Sequence, residues 1–137
     1  MWLLFAFGSA LFAGLTTILA KCGIRNTDSN VATALRTGVV LVFSWLMVFM
    51  VGAQSEIRDI SAKVLIFLIL SGLSTGISWL CYYRALQTGP ASVVVPIDKL
   101  SILVTIAFSY IVFHEKLSLK SGTGLLLIVV GTLALLI

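Results

Sequence analysis

The chain has 137 residues, of which 60% are hydrophobic and only 10% are charged, and its formal net charge is +4. A typical soluble domain has about a quarter charged residues, so most of this surface is expected to meet lipid. At about 20 residues for each membrane crossing, the length allows five spans and excludes a separate soluble catalytic domain. The basic residues are scattered along the chain instead of clustered, so we expect no nucleic-acid partner.

Apolar runs predict an all-α polytopic membrane protein, with five transmembrane helices in a single domain that covers residues 1–137. The predicted spans are residues 2–20, 31–51, 63–86, 91–115 and 119–137. Asp28, Ser29 and Asn30 are candidate N-caps of the second span. The polar stretch at 52–62 is predicted to be a loop or a short interfacial helix.

The predicted fourth span contains Pro96, Asp98 and Lys99, three residues that are unusual inside a membrane. Proline removes a backbone hydrogen bond and is expected to kink the helix. Ionisable side chains within a span are costly and normally face protein or a water-filled cavity. The three residues together therefore predict a wet passage beside this helix.

Adjacent residues of a helix point about 100° apart, so Asp98 and Lys99 are not expected to neutralise each other. Each is expected to have a partner on another helix. Asp98, Ser101 and Thr105 share one side of the predicted helix. We predict that these three residues and Lys99 bind a substrate or a coupling ion. A purely structural role, such as an ion pair with Arg36 or with another protomer, stays open.

Arg36 lies about 8 Å inside the predicted second span. Its side chain either extends to the membrane surface or faces the interior, beside Asp98 or an anionic substrate. Trp79, Tyr82 and Tyr83 share a face of the predicted third span with small residues. These aromatic side chains either line a cavity or belong to the aromatic belt at the membrane surface.

The few residues with metal-binding or nucleophilic chemistry do not form a motif. Cys22 and Cys81 fall in different predicted elements without metal-site spacing, and His114 is interpreted as an interfacial side chain. The sequence shows no convincing nucleophile–base pair and no glycine loop for phosphate. We therefore predict that the protein is not an enzyme and holds neither a metal nor a cofactor.

Gly124 and Gly131 lie seven residues apart on one face of the predicted fifth span. Small residues at such spacing allow another helix to approach closely, so we predict that they contribute to dimer packing. Glycines that face lipid by chance would give the same pattern.

Basic residues in the loops are nearly balanced between the two sides of the membrane. One side holds four, Arg58, Lys63, Lys116 and Lys120, and the other holds three, Lys21, Arg25 and Arg84. Orientation is normally set by an imbalance of these residues. We therefore hypothesise that the protein inserts in both orientations and forms an antiparallel homodimer. If the first helix alone sets the membrane orientation, Lys21 and Arg25 are expected on the cytoplasmic side.

A resemblance to a known family rests on the run W-L-C-Y-Y-R-A-L-Q-T-G-P-A-S-V-V-V-P-I-D-K-L-S, from Trp79 to Ser101. With the later H-E-K-L-S segment and an apolar last helix that contains glycine, it resembles the EamA-like domain of the drug/metabolite transporter superfamily. The earlier A-K-C-G-I-R and A-T-A-L-R segments are similar to the first two helices of the same domain. The resemblance covers nearly the whole chain.

The resemblance implies a particular architecture. Members of the superfamily commonly carry two five-helix domains as inverted repeats around a central substrate site, and this chain is similar to one half. It resembles the small single-domain prokaryotic members, which implies pairing in an inner membrane. The glycine-bearing last helix also resembles that of the small multidrug resistance relatives. Their essential first-helix glutamate has no counterpart here, which argues against proton-coupled drug export and makes Asp98 the expected coupling carboxylate.

Three functions remain as hypotheses. The first is a transporter of a small polar or amphipathic metabolite that works in the bilayer as a dimer by alternating access. The second is a non-transporting membrane subunit or scaffold, and the third is a flippase for a lipid-linked substrate.

Overall fold

The computed structural model describes residues 1–114 and 118–137. These residues form six α-helices and two short 3₁₀ segments, and the described part of the chain contains no β-strand. The all-α prediction is therefore confirmed. Residue 115, at the end of the predicted fourth span, lies outside the described residues, as do the middle of the H-E-K-L-S segment and Lys116.

Four helical stretches are long and apolar enough to cross a membrane. They are Trp2–Asn26, Ser29–Val51, Ala62–Thr88 and Ala91–Phe113. The last helix, Leu119–Ala134, has 16 residues, and at 1.5 Å per residue it is about 24 Å long, shorter than a hydrocarbon core of about 30 Å. A multi-pass membrane protein is confirmed, whereas a count of five spans stays a prediction.

The chain divides into two compact units, Met1–Gln87 and Thr88–Ile137. The first unit is built from three long helices: α1 (Trp2–Gly23), α2 (Ser29–Val51) and α3 (Ala62–Thr88). Nearly all of their apolar side chains are exposed, and only Ile24, Tyr83 and Leu86 are buried hydrophobic residues among those described. An apolar surface of this extent is stable in lipid and not in water, which agrees with the composition.

The α1–α2 connection is a 3₁₀ turn, Ile24–Asn26, followed by an N-cap. The Asp28 carboxylate accepts hydrogen bonds from the backbone N–H of Asn30 at 2.8 Å and of Val31 at 3.4 Å. These bonds satisfy donors that the first helical turn leaves unpaired. Of the three candidate N-caps, Asp28 is the one used.

The α2–α3 connection begins at Gly52, whose φ of 76° lies in the left-handed region. Glycine adopts this conformation without the Cβ clash that other residues meet, so it ends α2 at a defined position. A 3₁₀ helix, Ala53–Asp59, follows. The predicted loop or short interfacial helix at 52–62 is therefore a short helix of the 3₁₀ type.

Side chains join the end of α3 to the α1–α2 connection. Lys21 Nζ donates a hydrogen bond to the Leu86 carbonyl. Gln87 Nε2 donates to the carbonyl oxygens of Thr27 at 2.9 Å and Ile24 at 3.4 Å. Because Ile24 and Leu86 are also buried, this end of the first unit is held by both polar and apolar contacts.

The second unit contains α4 (Ala91–Asp98), α5 (Ser101–Phe113) and α6 (Leu119–Ala134), and α4 contacts α6. The sequence predicted a span over 91–115 with a kink at Pro96, and the structure interrupts the helix at Lys99 and Leu100, just beyond this proline. Pro96 has no N–H to donate to the preceding turn. The backbone beyond it shifts to i→i−3 bonds, including Leu100 N–H to the Ile97 carbonyl at 3.0 Å.

Two caps bound the last connection of this unit. α5 ends at His114, whose φ of 52° lies in the left-handed region and whose N–H donates to the Ser109 carbonyl. α6 begins after Ser118, whose hydroxyl accepts a hydrogen bond from the Ser121 N–H at 3.1 Å. Residues next to each helix end therefore fix where α5 ends and α6 begins. The interruption at Lys99, in contrast, lies within a membrane span.

Candidate functional site

A cavity of about 710 Å³ lies in the second unit, beside the helix interruption. Four of the residues predicted to form the site or to kink the helix line it: Pro96, Lys99, Ser101 and Thr105. Gly131, predicted for dimer packing, also lines it. The interruption therefore brings most of the predicted residues of this unit to one cavity.

The walls of this cavity are mainly apolar, with Lys99 as the charged group among the residues that line it. Two hydroxyls are already engaged, because Thr105 donates to the Ser101 carbonyl at 3.2 Å and Thr132 donates to the Ile128 carbonyl at 2.8 Å. An apolar cavity with a few placed polar groups is typical of small-molecule sites.

Asp98 and Lys99 form an ion pair, with Lys99 Nζ 3.4 Å from Asp98 Oδ2. The prediction that these neighbours do not neutralise each other is therefore wrong. It assumed regular helix, whereas Lys99 lies at the interruption, and its long side chain turns back to the carboxylate. The Lys99 side chain is 61% exposed and the Asp98 side chain is 37% exposed. In water, an ion pair with this exposure contributes about 0–1 kcal/mol.

A second cluster lies in the first unit, where Arg36 of α2 stacks on aromatic rings of α3. The guanidinium carbon is 4.2 Å from the centre of the Trp79 ring and 5.5 Å from that of Tyr83. Both distances are within the range of cation–π attraction. Trp79 and Tyr83 are four residues apart, so the helix presents both rings on one face.

Further contacts hold the ring positions. Tyr82 and Tyr83 meet edge to face, with ring centres 5.9 Å apart. The Tyr82 hydroxyl is 2.9 Å from the Thr17 hydroxyl of α1, which in turn donates to the Ala13 carbonyl at 3.1 Å. Three helices therefore contribute to the surroundings of Arg36.

The Arg36 side chain is partly buried, and its Nη1 atom is fully buried without a hydrogen-bond partner among the described residues. The guanidinium lies against α3. Its position at the membrane surface, or in the interior beside Asp98 or an anionic substrate, stays a prediction. Arginine always carries its charge and has five N–H donors. The faces of the Trp79 and Tyr83 rings attract the positive charge of Arg36. They do not accept hydrogen bonds from its N–H groups, which lie in the plane of the guanidinium.

The predicted site residues thus fall into two clusters. Arg36, Trp79, Tyr82 and Tyr83 lie together in the first unit. Pro96, Asp98, Lys99, Ser101 and Thr105 lie together in the second, with Asp98 paired to Lys99 but not lining the cavity.

Gly124 and Gly131 have open space around them. A Cβ atom built on either glycine meets no heavy atom within 4 Å, so neither position supports a close helix approach within the chain. Their proposed contribution to dimer packing stays a prediction.

Sequence reasoning did not include two hydroxyl residues that belong to these clusters. Thr17 contacts Tyr82 across two helices, and Thr132 is 4% exposed and lines the cavity. A threonine in an apolar helix is a weak signal by itself, because its hydroxyl can bond to the backbone one turn earlier. Only the helix packing distinguishes these two from the others.

Metal-binding chemistry is not visible in the part of the chain that the structure describes. Those residues contain no group of three or more His, Cys, Asp or Glu side chains. Cys22 and Cys81 are both exposed and not bridged.

Several long apolar helices, one of them interrupted beside a charged pair, define a multi-pass helical membrane protein with polar groups inside its spans. Comparison with known proteins gives the family. The profile of the EamA-like transporter family matches residues 1–137. The chain belongs to this family and is a membrane transporter by class, as the resemblance from Trp79 to Ser101 implied.

Three relatives illustrate the match. An uncharacterized transporter from the cobO 3′ region of a Sinorhizobium species is 41% identical over 134 residues, covering 98% of this chain and 95% of that protein. The uncharacterized transporter YvbV of Bacillus subtilis is 32% identical over 126 residues, covering 92% of this chain but 41% of YvbV. A probable 4-amino-4-deoxy-L-arabinose-phosphoundecaprenol flippase subunit, ArnE of an Enterobacter species, is 40% identical over 70 residues, covering 50% of this chain and 64% of ArnE. No solved structure matches the chain.

Proposed function

We propose that the protein moves a small polar or amphipathic metabolite across a prokaryotic inner membrane, without enzymatic chemistry. The observation that carries the proposal is the interruption of the fourth span beside a cavity. Four residues at or near the interruption line this cavity: Pro96, Lys99, Ser101 and Thr105. Transporters commonly build substrate sites from discontinuous helices near the middle of the membrane. Family membership supplies the transport class, and the cavity supplies a candidate place for the substrate.

The ion pair gives this cavity a way to respond to a substrate. The Asp98 carboxylate holds the Lys99 ammonium at 3.4 Å. A substrate with a negative or strongly polar group competes for Lys99, since the exposed pair contributes little stability of its own. The released carboxylate is then available to a cation or proton, which links substrate binding to a coupling ion.

A dimer is part of the proposal. The match covers 41% of YvbV, so this chain corresponds to less than half of that relative. Alternating access in transporters of this kind uses two halves that move against each other around one site. Two copies of this chain supply two such halves, and the nearly balanced basic residues are compatible with an antiparallel arrangement. The open faces at Gly124 and Gly131 are the proposed packing surface.

The test begins with a thermal-shift screen of purified protein, because a ligand that binds only the folded state raises the unfolding temperature. Uptake of the ligand found is then measured in proteoliposomes. We expect Asp98→Asn and Lys99→Ala to abolish or strongly reduce uptake. Matched controls are Asp59→Asn and Lys120→Ala, which remove the same charges outside the cavity. Uptake that is unchanged in both Asp98→Asn and Lys99→Ala contradicts the residue roles.

The dimer is tested separately. A tag at the C-terminus is expected to be accessible from both faces of the membrane, and protomers are expected to crosslink through α6. Finding the tag on one face alone contradicts the antiparallel arrangement.

The match to ArnE favours two further candidates. That protein is named as a flippase subunit. The cavity beside Lys99 is therefore a candidate path for the headgroup of a lipid-linked substrate. A change in the leaflet distribution of a labelled lipid-linked sugar in vesicles is expected in that case, and an unchanged distribution contradicts it. A non-transporting subunit instead predicts no flux by the purified chain and a defined partner on affinity capture.

A further inference from the structure

We propose that Arg36, held on the faces of Trp79 and Tyr83, is an oxyanion-binding subsite for a carboxylate or phosphate group. The inference rests on the proposed transport function only in treating the bound molecule as a substrate. It concerns the first unit and is independent of the cavity beside Lys99. The geometry that carries it is a guanidinium stacked at 4.2 Å on an indole ring, with a buried nitrogen that has no hydrogen-bond partner in the described part of the chain.

The charge of Arg36 is not balanced by an acidic side chain of its unit. The acidic residues of Met1–Gln87 are Asp28, Glu56 and Asp59, and the described residues of this unit include no ion pair with Arg36. Asp28 is engaged as the cap of α2, and Arg36 lies about 12 Å further along that helix. Among the described residues of its unit, this permanent cation in an apolar span is therefore stabilised by ring faces and not by a carboxylate.

Aromatic rings and hydrogen-bond acceptors interact with different parts of a guanidinium: rings contact its flat face, and acceptors bind its N–H groups. Stacking on Trp79 and Tyr83 attracts the charge through the flat face, whereas the N–H donors point outward in the plane. Nη1 is buried and receives no acceptor from the described residues. A buried donor without a partner is unfavourable. Nη1 itself is closed to solvent, whereas the Arg36 side chain as a whole is partly exposed. An oxyanion that enters at the exposed part of the guanidinium, with a small movement of its neighbours, therefore gains binding energy by supplying acceptor oxygens.

The preferred ligand follows from the planar shape and the positive charge of the guanidinium. A planar guanidinium matches the two oxygens of a carboxylate or phosphate group in a bidentate arrangement. A neutral amide offers one acceptor and no charge. A cationic ligand is disfavoured, because Arg36 already occupies the Trp79 and Tyr83 faces that would attract it and repels a second positive charge. The subsite therefore selects anionic molecules over cationic ones.

The subsite is preorganised. Tyr83 is 3% exposed and is held by the edge of Tyr82, and the Tyr82 hydroxyl contacts Thr17 at 2.9 Å. Thr33, one turn before Arg36 on α2, is also buried. Because Tyr83 is buried and Tyr82 is held from α1, little freedom of these two side chains is lost when an oxyanion binds.

The experiment uses tryptophan emission as a local probe. The full chain with Trp2→Phe and Trp45→Phe retains Trp79 as its single tryptophan, and it is reconstituted in nanodiscs of zwitterionic lipid. Hexanoate, hexyl phosphate and hexanamide are titrated at constant ionic strength. We expect a saturable change in Trp79 emission with one or both anions and none with hexanamide. The tighter anion identifies the oxyanion as carboxylate or phosphate.

Variants of the cation sharpen the result. Arg36→Gln is expected to abolish the response, and Arg36→Lys to raise the Kd roughly tenfold or more, because lysine keeps the charge but lacks the planar fork. Arg58→Gln, which removes an exposed arginine of the 53–59 segment, is the matched control and is expected to leave the Kd unchanged.

Two results overturn the inference: equal binding of hexanamide and hexanoate, or unchanged anion binding in Arg36→Gln. If Arg36→Gln does not fold, the comparison of anion with amide in the Trp79 protein decides the question. Arg36-dependent binding without flux removes the proposed transport and leaves the subsite. Flux without Arg36-dependent binding removes the subsite and leaves transport.

Discussion

The two units hold a cation within a membrane span in different ways. In the first unit, Arg36 lies on the Trp79 and Tyr83 rings, and its Nη1 is buried without an acceptor from residues 1–114 or 118–137. In the second, Lys99 is largely exposed and pairs with its neighbour Asp98 at 3.4 Å. Aromatic faces stabilise a charge while leaving its donors available, whereas a carboxylate uses them. The first arrangement suits a preformed binding site, and the second suits a contact that opens.

The surroundings of the two cations differ as well. The first unit contains Ile24 and Leu86, which are 2% and 0% exposed, near the junction of its three helices. Only Thr132 is buried among the described residues of the second unit. We therefore expect the first unit to be the more resistant to local opening, and the following substitutions test that difference.

The largest effect is expected at the junction of the first unit. Leu86→Ala removes a fully buried side chain and leaves a cavity, which we expect to lower the free energy of unfolding by about 2–5 kcal/mol. Leu126→Ala in α6 is the matched control, because Leu126 is 63% exposed, and a change within about 0.5 kcal/mol is expected. Chemical unfolding in detergent micelles measures both. Equal losses contradict the contrast in burial between the units.

A double-mutant cycle measures the stacking of Arg36 on Trp79. With Arg36→Met, Trp79→Leu and the double variant, we expect a coupling energy of about 1–2 kcal/mol, since the contact is partly desolvated. The coupling is expected to change little with added salt, because a buried contact is screened weakly. A coupling energy near zero means that the rings do not stabilise the cation.

A smaller effect is expected where Thr17 supports Tyr82. Thr17→Val keeps the shape of the side chain and removes its hydroxyl, so the Tyr82 hydroxyl loses its partner and we expect a loss of about 1 kcal/mol in the free energy of unfolding. Adding Tyr82→Phe removes the unpaired group and is expected to recover part of that loss. If Thr17→Val has no effect, the α1–α3 hydrogen bond does not contribute to the first unit.

The smallest effect is expected at the helix interruption. The cycle of Asp98→Asn and Lys99→Gln is expected to give a coupling energy of about 0–1 kcal/mol, because in the water-filled passage that we propose beside α4 a solvated ion pair gains little. Raising the salt concentration is expected to remove most of it. A coupling energy as large as that of Arg36 and Trp79 would show that the pair is a fixed structural element and not a contact that a substrate displaces.

Several features were predictable because they depend on local chemistry. The apolar composition predicted a helical membrane protein, and the Asp28 cap follows from the preference of carboxylates for unpaired N–H groups at a helix start. The spacing of Trp79, Tyr82 and Tyr83 placed them near one face of α3. Gln87-T-G-P marked the end of that helix, which closes at Thr88.

Other features were not predictable from the same residues. A proline within a span indicates a kink, but whether the helix bends or is interrupted depends on small differences between i→i−4 and i→i−3 bonding over the next turn. The structure interrupts the helix at Lys99 and Leu100. This change in local geometry also reversed the prediction for Asp98 and Lys99, since the rule for adjacent residues applies only to regular helix.

The sequence by itself determined the class of this protein, the positions of most helices and the short list of charged and aromatic residues in the spans, because composition and periodicity act over a few residues. Only the tertiary structure decided what each cation meets. Arg36 and Trp79 are far apart in the chain, and their contact at 4.2 Å depends on how α2 packs against α3. Lys99 meets its own neighbour because the helix is interrupted there. Packing between helices is set by many weak contacts together, and no local pattern encodes their sum.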